Sequence, residues 1–490
     1  MANNGGEPES LREVLKSLPA VHAVLDCEEL ADCLATQGRQ AVVRAVRLAV
    51  DEARVGLRHG LAVAVDAPSL AARARALLER QRRRLRRVLN ATGILLHTGL
   101  GRAPLAVEAI EAVAASARGY CSLELELETG RRGRRSTAIG QLLCELTGGE
   151  AATVVNNNAG ATVLALRALA AGREVLVSRG QLVEIGGSFR LPEILEVSGA
   201  RLREVGTTNK TRLDDYRRAV NPAVAALLRV HASNFRIVGF TEQPPLRALA
   251  DLAREHRLLL IDDIGSGALA PGLPPGVKGE PTAAEGIAAG ADLVLFSGDK
   301  LLGGPQCGIM IGRREVIRRV ESDPLMRALR VDKMTLAALE ATLELIRDPL
   351  LATTRIPLWR MLTTPLPRLM ERAEHLAARL RLEAELKAEP LSSESYLGGG
   401  SAPLHAIPSI CVCVHPPFPP SWSDSATAWA ARLRLGDPPV VARIHQGAVH
   451  FDLRTVLESE DQDLLDAILR ACHDQPPDTG GNGPTPPAPS

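Results

Sequence analysis

The sequence predicts an α/β protein: a three-layer domain on a mostly parallel sheet, preceded by a small helical domain and followed by a small α+β domain. Three observations predict this. Between Asn90 and about residue 340, short apolar runs alternate with helical stretches; before this region the pattern is helical and charged; after it, a helical run gives way to β-like runs. With 490 residues, 46% hydrophobic and 23% charged, the chain can fill more than one core. No uninterrupted apolar run reaches membrane-spanning length, and the N-terminus, MANNGGEPESLREVL, lacks the basic-then-apolar order of a signal peptide. A cytoplasmic protein with no membrane contact is expected. Eight cysteines without C-x-x-C spacing suit a reducing compartment and predict no metal site.

The elements follow in order. Residues 1–66 carry seven basic and ten acidic side chains and form the expected N-terminal domain. Residues 67–90 carry eight arginines against one glutamate, without a glycine, and predict a basic linker helix charged nearly all round. Its Arg80, Arg83, Arg84 and Arg87 are candidates for contacts with a polyanion, most naturally nucleic acid. Residues 91–340 form the expected large domain, with strand-like runs at Ala152–Val155, Glu174–Val177, Val224–Val230, Leu258–Ile261 and Leu293–Phe296. Residues 341–473 form the expected C-terminal domain, with a helix over Leu366–Leu386 and a hairpin of Val440–His445 and Val449–Leu453. The Pro/Gly-rich stretch 474–490 is expected to be a disordered tail.

Formal net charge is +1, from 58 basic and 57 acidic residues, but the basic set is 52 arginines and six lysines. Arginine cannot be deprotonated in a protein, whereas a desolvated lysine can become a neutral amine and form a Schiff base. The few lysines are therefore a short list for chemistry. Lys300 ends an apolar strand as Ser297-Gly298-Asp299-Lys300, before a glycine pair. In parallel sheets ligands sit beyond the carboxyl ends of the strands. Two other strand ends point the same way. One runs into Asp262-Asp263, either of which can pair with a protonated pyridine nitrogen; Asp262 is favoured, because alternation lets only one face the ring. The other runs into Asn156-Asn157-Asn158-Ala159-Gly160 and a helix, where exposed N–H groups of Asn158, Ala159 and Gly160 suit a phosphate. Ser297 can add its hydroxyl to that phosphate. Lys333 begins a helix without strand-end geometry and is expected to pair or cap. Phosphate turn, then aspartate, then lysine is the order of the fold-type I pyridoxal phosphate enzymes.

On longer blocks the sequence resembles the bacterial selenocysteine synthases, the L-seryl-tRNA(Sec) selenium transferases. The blocks include NATGILLHTGLGRAPL (Asn90–Leu105), LELETGRRGRR (Leu125–Arg135), VVNNNAGA (Val154–Ala161), HASNFRIVGFTE (His231–Glu242), DDIGSGAL (Asp262–Leu269), FSGDKLLGGPQCGIMIG (Phe296–Gly312) and RALRVDKMTLAALEATL (Arg327–Leu343). Two positions depart from the family pattern: Gly99, usually Asn, and Phe235, often Tyr.

The resemblance implies a pyridoxal 5'-phosphate-dependent transferase with Lys300 as its Schiff-base lysine. It would convert seryl-tRNA(Sec) to selenocysteinyl-tRNA(Sec), by β-elimination through an aminoacrylyl intermediate and addition of selenium from selenophosphate. It points to Arg102, Arg327 and Arg330 as the selenophosphate donors, the last two sharing a helix face or first turn. It further implies tRNA recognition by the N-terminal domain and a homodecamer built as a ring of dimers with sites at dimer interfaces. Two alternatives differ in class: a tRNA-independent lyase of a free amino acid or amino sugar acid, and an inactive RNA-binding protein on the same fold.

Overall fold

A computed structural model describes residues 15, 17–58, 64–82, 85–135, 137–185, 189–235, 237–398, 406–417 and 425–473. The expected tail, 474–490, lies outside these. The chain divides into two compact units, Met1–Arg87 and Val88–Ser490.

The N-terminal unit is helical, with helices Val21–Leu25, Ala31–Gln37, Arg39–Arg58 and Ala67–Arg82. In the third, Val42, Ala45, Val46, Ala49, Val50 and Ala53 recur at helical spacing and are buried. The fourth helix corrects the expectation of a separate linker. Its Leu70, Ala71, Ala74 and Leu78 form an apolar stripe that enters the same core. The arginines mask this stripe in the sequence, because alanine contributes little to a hydrophobic pattern while still packing closely.

Strands in the second unit are β1 (Leu89–Ala91), β2 (Ala151–Val155), β3 (Glu174–Ser178), the short β4 (Glu184–Ile185) and β5 (Phe189–Arg190), β6 (Arg201–Val205) and β7 (Val224–Val230). They continue with β8 (Leu259–Gly265), β9 (Leu293–Ser297), β10 (Gly308–Gly312), β11 (Ala388–Tyr396), β12 (Ala406–Val414), β13 (Val440–His445) and β14 (Ala448–Asp452). The main sheet has the order β2-β10-β9-β8-β7-β3-β6, with β10 antiparallel to both neighbours and the other pairings parallel. Its strands are apolar because helices cover both faces. Alternation divides each strand between two cores: Leu227, Leu260 and Val294 enter one, Leu228, Ile261 and Leu295 the other. The second core is closed by the helix Asn158–Ala170 through Ala161, Leu164, Ala165 and Leu169.

The boundary expected at 340 falls inside the helix Lys333–Ile346. Leu343, Ile346, Ile356, Leu358 and Trp359 pack into the large core, so that core continues past 341. Conversely, β1 joins the C-terminal sheet, β1-β13-β14-β12-β11, pairing parallel with β13. The C-terminal sheet packs on the helix Leu366–Ala384 through Leu369, Ala373, Leu376 and Leu380, and Trp429 meets Phe451 edge-on at 6.0 Å. The hairpin β13–β14 turns on Gln446 and Gly447, both with positive φ, the geometry of a two-residue primed turn.

Candidate active site

The site is built where β2, β7, β8 and β9 end. After Ser297 the chain turns sharply: Gly298 N–H donates to the Cys307 carbonyl at 3.0 Å, Gly304 N–H to Gly298 O at 3.0 Å and Leu301 N–H to Ser266 O at 3.0 Å. Close approach requires glycine at two points. A Cβ on Gly267, whose φ is +84°, would lie 2.2 Å from Ser297 O, and one on Gly308 would lie 2.2 Å from Asn157 O. The turn holds Lys300 in a cavity of about 260 Å³ with Arg102, Asn158, Ala159, Asp263, Ser297 and Asp299 among its walls.

Lys300 is 6% exposed. Burial and then the Arg102 guanidinium hold its amine below the usual lysine range, against the opposing pull of Asp299, Asp263 and Glu280. Asp263 accepts from Asn158 Nδ2 at 2.8 Å, Thr162 Oγ1 at 3.0 Å and the Gly265 N–H at 3.1 Å. Burial raises its pKa, and the Asn158, Thr162 and Lys300 interactions oppose the rise.

The preference for Asp262 is corrected by this geometry. Asp262 shares its strand face with Leu260 and Ile264, away from the helix Asn158–Ala170. Its Oδ1 lies 3.0 Å from Arg229 Nε, and a Cβ on Gly286 would meet its Oδ2 at 3.2 Å. Burial pushes its carboxyl up to about 6, outweighing the Arg229 charge. One aspartate faces the cavity, as alternation requires, but it is Asp263. Both lie within β8, which runs further than the expected Leu258–Ile261.

The phosphate turn also differs in detail. Asn157 caps the helix by accepting from the Gly160 N–H at 2.8 Å, so that donor is engaged. Gly160 is absent from the cavity wall, which Asn157, Asn158 and Ala159 supply. Among the described residues, Asn158 Oδ1 and Ser233 Oγ are buried polar atoms at the cavity without a hydrogen-bond partner. Unpartnered polar atoms beside a helix N-terminus, a buried carboxylate and a buried amine fit a polar, anionic, ring-bearing cofactor such as pyridoxal phosphate.

The arginines separate. Arg102 lines the Lys300 cavity, with Nη1 2.9 Å from Asp299 Oδ2, and adopts φ +64° after Gly101. A non-glycine residue in this region carries strain that surrounding structure must hold. Arg327 and Arg330 instead line another cavity, of about 540 Å³, with Arg134, Arg135 and Arg318. They do not share a helix turn: Arg327 is in the short helix Leu325–Leu329, and Arg330 caps it in extended backbone. Glu124, hydrogen-bonded by Arg135 and Arg132, is pulled down to about 2. Desolvation, then the charges of Arg135 and Arg327, push the Arg330 guanidinium below its usual range. Among the described residues Lys333 neither pairs nor caps: its Nζ donates to the Gly119 carbonyl at 2.7 Å, while Asp332 caps the helix.

Of the polyanion candidates, Arg83 and Arg84 and the Arg80 side chain lie outside the described residues; Arg87 is exposed. Sequence reasoning missed Thr162 and Asp299, and His231, whose Nε2 is 3.4 Å from Glu280 Oε2. Asp299 was signalled by its place beside Lys300; Thr162, one helical turn after Asn158, had no local signal. A larger cavity, of about 780 Å³, adjoins the site and shares Val230 and His231 with it.

The fold has a solved counterpart in a D-glucosaminate-6-phosphate ammonia-lyase, 22% identical, with a TM-score of 0.56 over 80% of this chain and 98% of that one. Fold and site together define the fold-type I class of pyridoxal phosphate enzymes. The family model described as L-seryl-tRNA selenium transferase matches residues 88–457, and one described as selenocysteine synthase N terminal matches residues 15–54. Proteins named L-seryl-tRNA(Sec) selenium transferase are similar along nearly their whole length. That of Nitratidesulfovibrio vulgaris is 45% identical over 94% of this chain and 99% of its own. That of Carboxydothermus hydrogenoformans is 46% identical over 92% and 96%. The chain belongs to the L-seryl-tRNA selenium transferase family.

Proposed function

We propose that this enzyme replaces the β-hydroxyl of serine on tRNA(Sec) with selenium from selenophosphate, and that it does so with pyridoxal phosphate held at Lys300. The observation that carries this reading is the buried Lys300 amine sharing one cavity with Asp263 and the N-terminus of the helix Asn158–Ala170. Lys300 would hold the cofactor through Nζ, Asp263 would face its pyridine nitrogen, and Asn158, Ala159 and Ser297 would face its phosphate. When bound, the cofactor supplies an electron sink for charge on the serine α-carbon.

The chain's own groups do the rest. Burial and the Arg102 charge favour a neutral Lys300 amine, the form that can take a proton from the serine Cα. Arg102, oriented by Asp299, offers a cation where an anionic selenium donor would approach. The match of residues 15–54 to a selenocysteine synthase N-terminal domain favours the tRNA-bound substrate over a free amino acid. Arg80, Arg83, Arg84 and Arg87 are proposed to meet tRNA phosphates. Such a substrate supports a cytoplasmic enzyme. No helix among the described residues is long and apolar enough to cross a membrane.

Arg327 and Arg330 fit this reading if they serve a neighbouring copy of the chain, in a homo-oligomer such as a decameric ring of dimers. The Arg330→Ala enzyme should then keep its cofactor absorption and lose selenium incorporation. Mixed oligomers of Arg330→Ala and Lys300→Ala chains should recover about a quarter of wild-type activity, since random pairing leaves one intact site in half of the two-fold dimers. Full activity in Arg330→Ala alone would sink the role. Failure of the mixture to recover would sink the shared site.

A further inference from the structure

The face of the C-terminal sheet opposite its core carries a thiol, an imidazole and a carboxylate that the proposed reaction does not use. Glu389 on β11 pairs in register with Cys413 on β12, and His415 follows two residues later, on the same side of the strand. One donor atom from each, a carboxylate oxygen, the thiol sulfur and an imidazole nitrogen, lies within 4.8 Å of the other two. Cys413 is 5% exposed, His415 half-buried and Glu389 exposed, so the set opens to solvent on one side.

We propose that Glu389, Cys413 and His415 form a zinc-class divalent metal site, with water as the fourth ligand. Thiolate with imidazole selects zinc or cobalt over magnesium or calcium, which take oxygen ligands. Metal–ligand bonds of about 2.0–2.3 Å in a tetrahedron place ligand atoms about 3.5 Å apart. The set has only to close slightly, and Glu389, exposed and flexible, can supply that movement. The His415 backbone is fixed beside the set, its N–H donating to the Lys387 carbonyl at 3.0 Å. Bound metal would tie β11, an edge strand of its sheet, to β12. Cysteine spacing gave no sign of such a site, because its ligands meet across two strands.

The test uses the full-length holoenzyme without a histidine tag, stripped with a chelator and titrated with zinc against a chromophoric competitor. Cobalt serves as the spectroscopic probe. Wild-type protein should bind one ion per chain here, with tetrahedral thiolate–cobalt absorption. Cys413→Ser and His415→Ala should weaken binding by about 100-fold or more, beyond the 10–100-fold that loss of an outer-shell partner costs. Glu389→Gln should weaken it less, and Cys411→Ser should leave it unchanged. Selenium transfer should persist in Cys413→Ser, which separates this site from the reaction at Lys300. Zinc affinity equal in wild type and Cys413→Ser, or cobalt absorption without thiolate character, would overturn the proposal. Should Cys413→Ser misfold, His415→Asn and Glu389→Gln decide: unchanged affinity in both overturns it.

Discussion

Replacing Lys300 with arginine is expected to abolish turnover and the visible absorption of the cofactor while the chain still folds. Arginine keeps the positive charge and much of the length, but it cannot lose a proton or form an imine at neutral pH. Losing the base alone costs about 10²–10⁴-fold. Loss of covalent attachment adds to this, so activity should fall below detection. Lys300→Ala should behave alike, and its circular dichroism should match wild type. Cofactor absorption and turnover surviving in either variant would remove Lys300 from the centre of the mechanism.

The second large effect is expected at Asp263, and its comparison with Asp262 makes it informative. Asp263→Asn keeps the shape, and its one carbonyl oxygen can still accept from Asn158, but it loses the second acceptor that meets Thr162 and removes the negative charge at the cavity. An electron sink that depends on a protonated ring nitrogen then weakens, and turnover should fall by at least about 100-fold, the scale of a lost preorganised electrostatic partner. Asp262→Asn leaves the cavity intact and deprives Arg229 of its ion-pair partner. It should cost stability, on the order of 1–3 kcal/mol, and little activity. The measurements are kcat and the cofactor spectrum for both, with thermal unfolding alongside. Equal losses of activity in the two variants would contradict the assignment by strand face.

That assignment marks where sequence reasoning stops. The sequence showed that the strands alternate with helices, that Lys300 follows one and that two aspartates follow another. Which aspartate faces the ligand depends on which sheet face the helix Asn158–Ala170 covers, a tertiary fact absent from either segment alone. Domain edges escaped for a similar reason. β1 pairs with β13 more than 300 residues away, and Trp359 returns to the large core from beyond the expected boundary. The basic helix was misjudged because alanines at its buried positions look neutral beside arginines. Arg327 and Arg330 were found through blocks of similarity; that they line a cavity other than that of Lys300 within one chain could emerge only from the fold.

The central claim is the reaction itself. Purified enzyme, with pyridoxal phosphate, should be incubated with seryl-tRNA(Sec) and selenophosphate, and the amino acid released from the tRNA should be identified. Selenocysteine on the tRNA, absent when free serine replaces seryl-tRNA(Sec), is the predicted result. No selenocysteine on the tRNA, together with turnover of free serine or an amino sugar acid, would contradict the account.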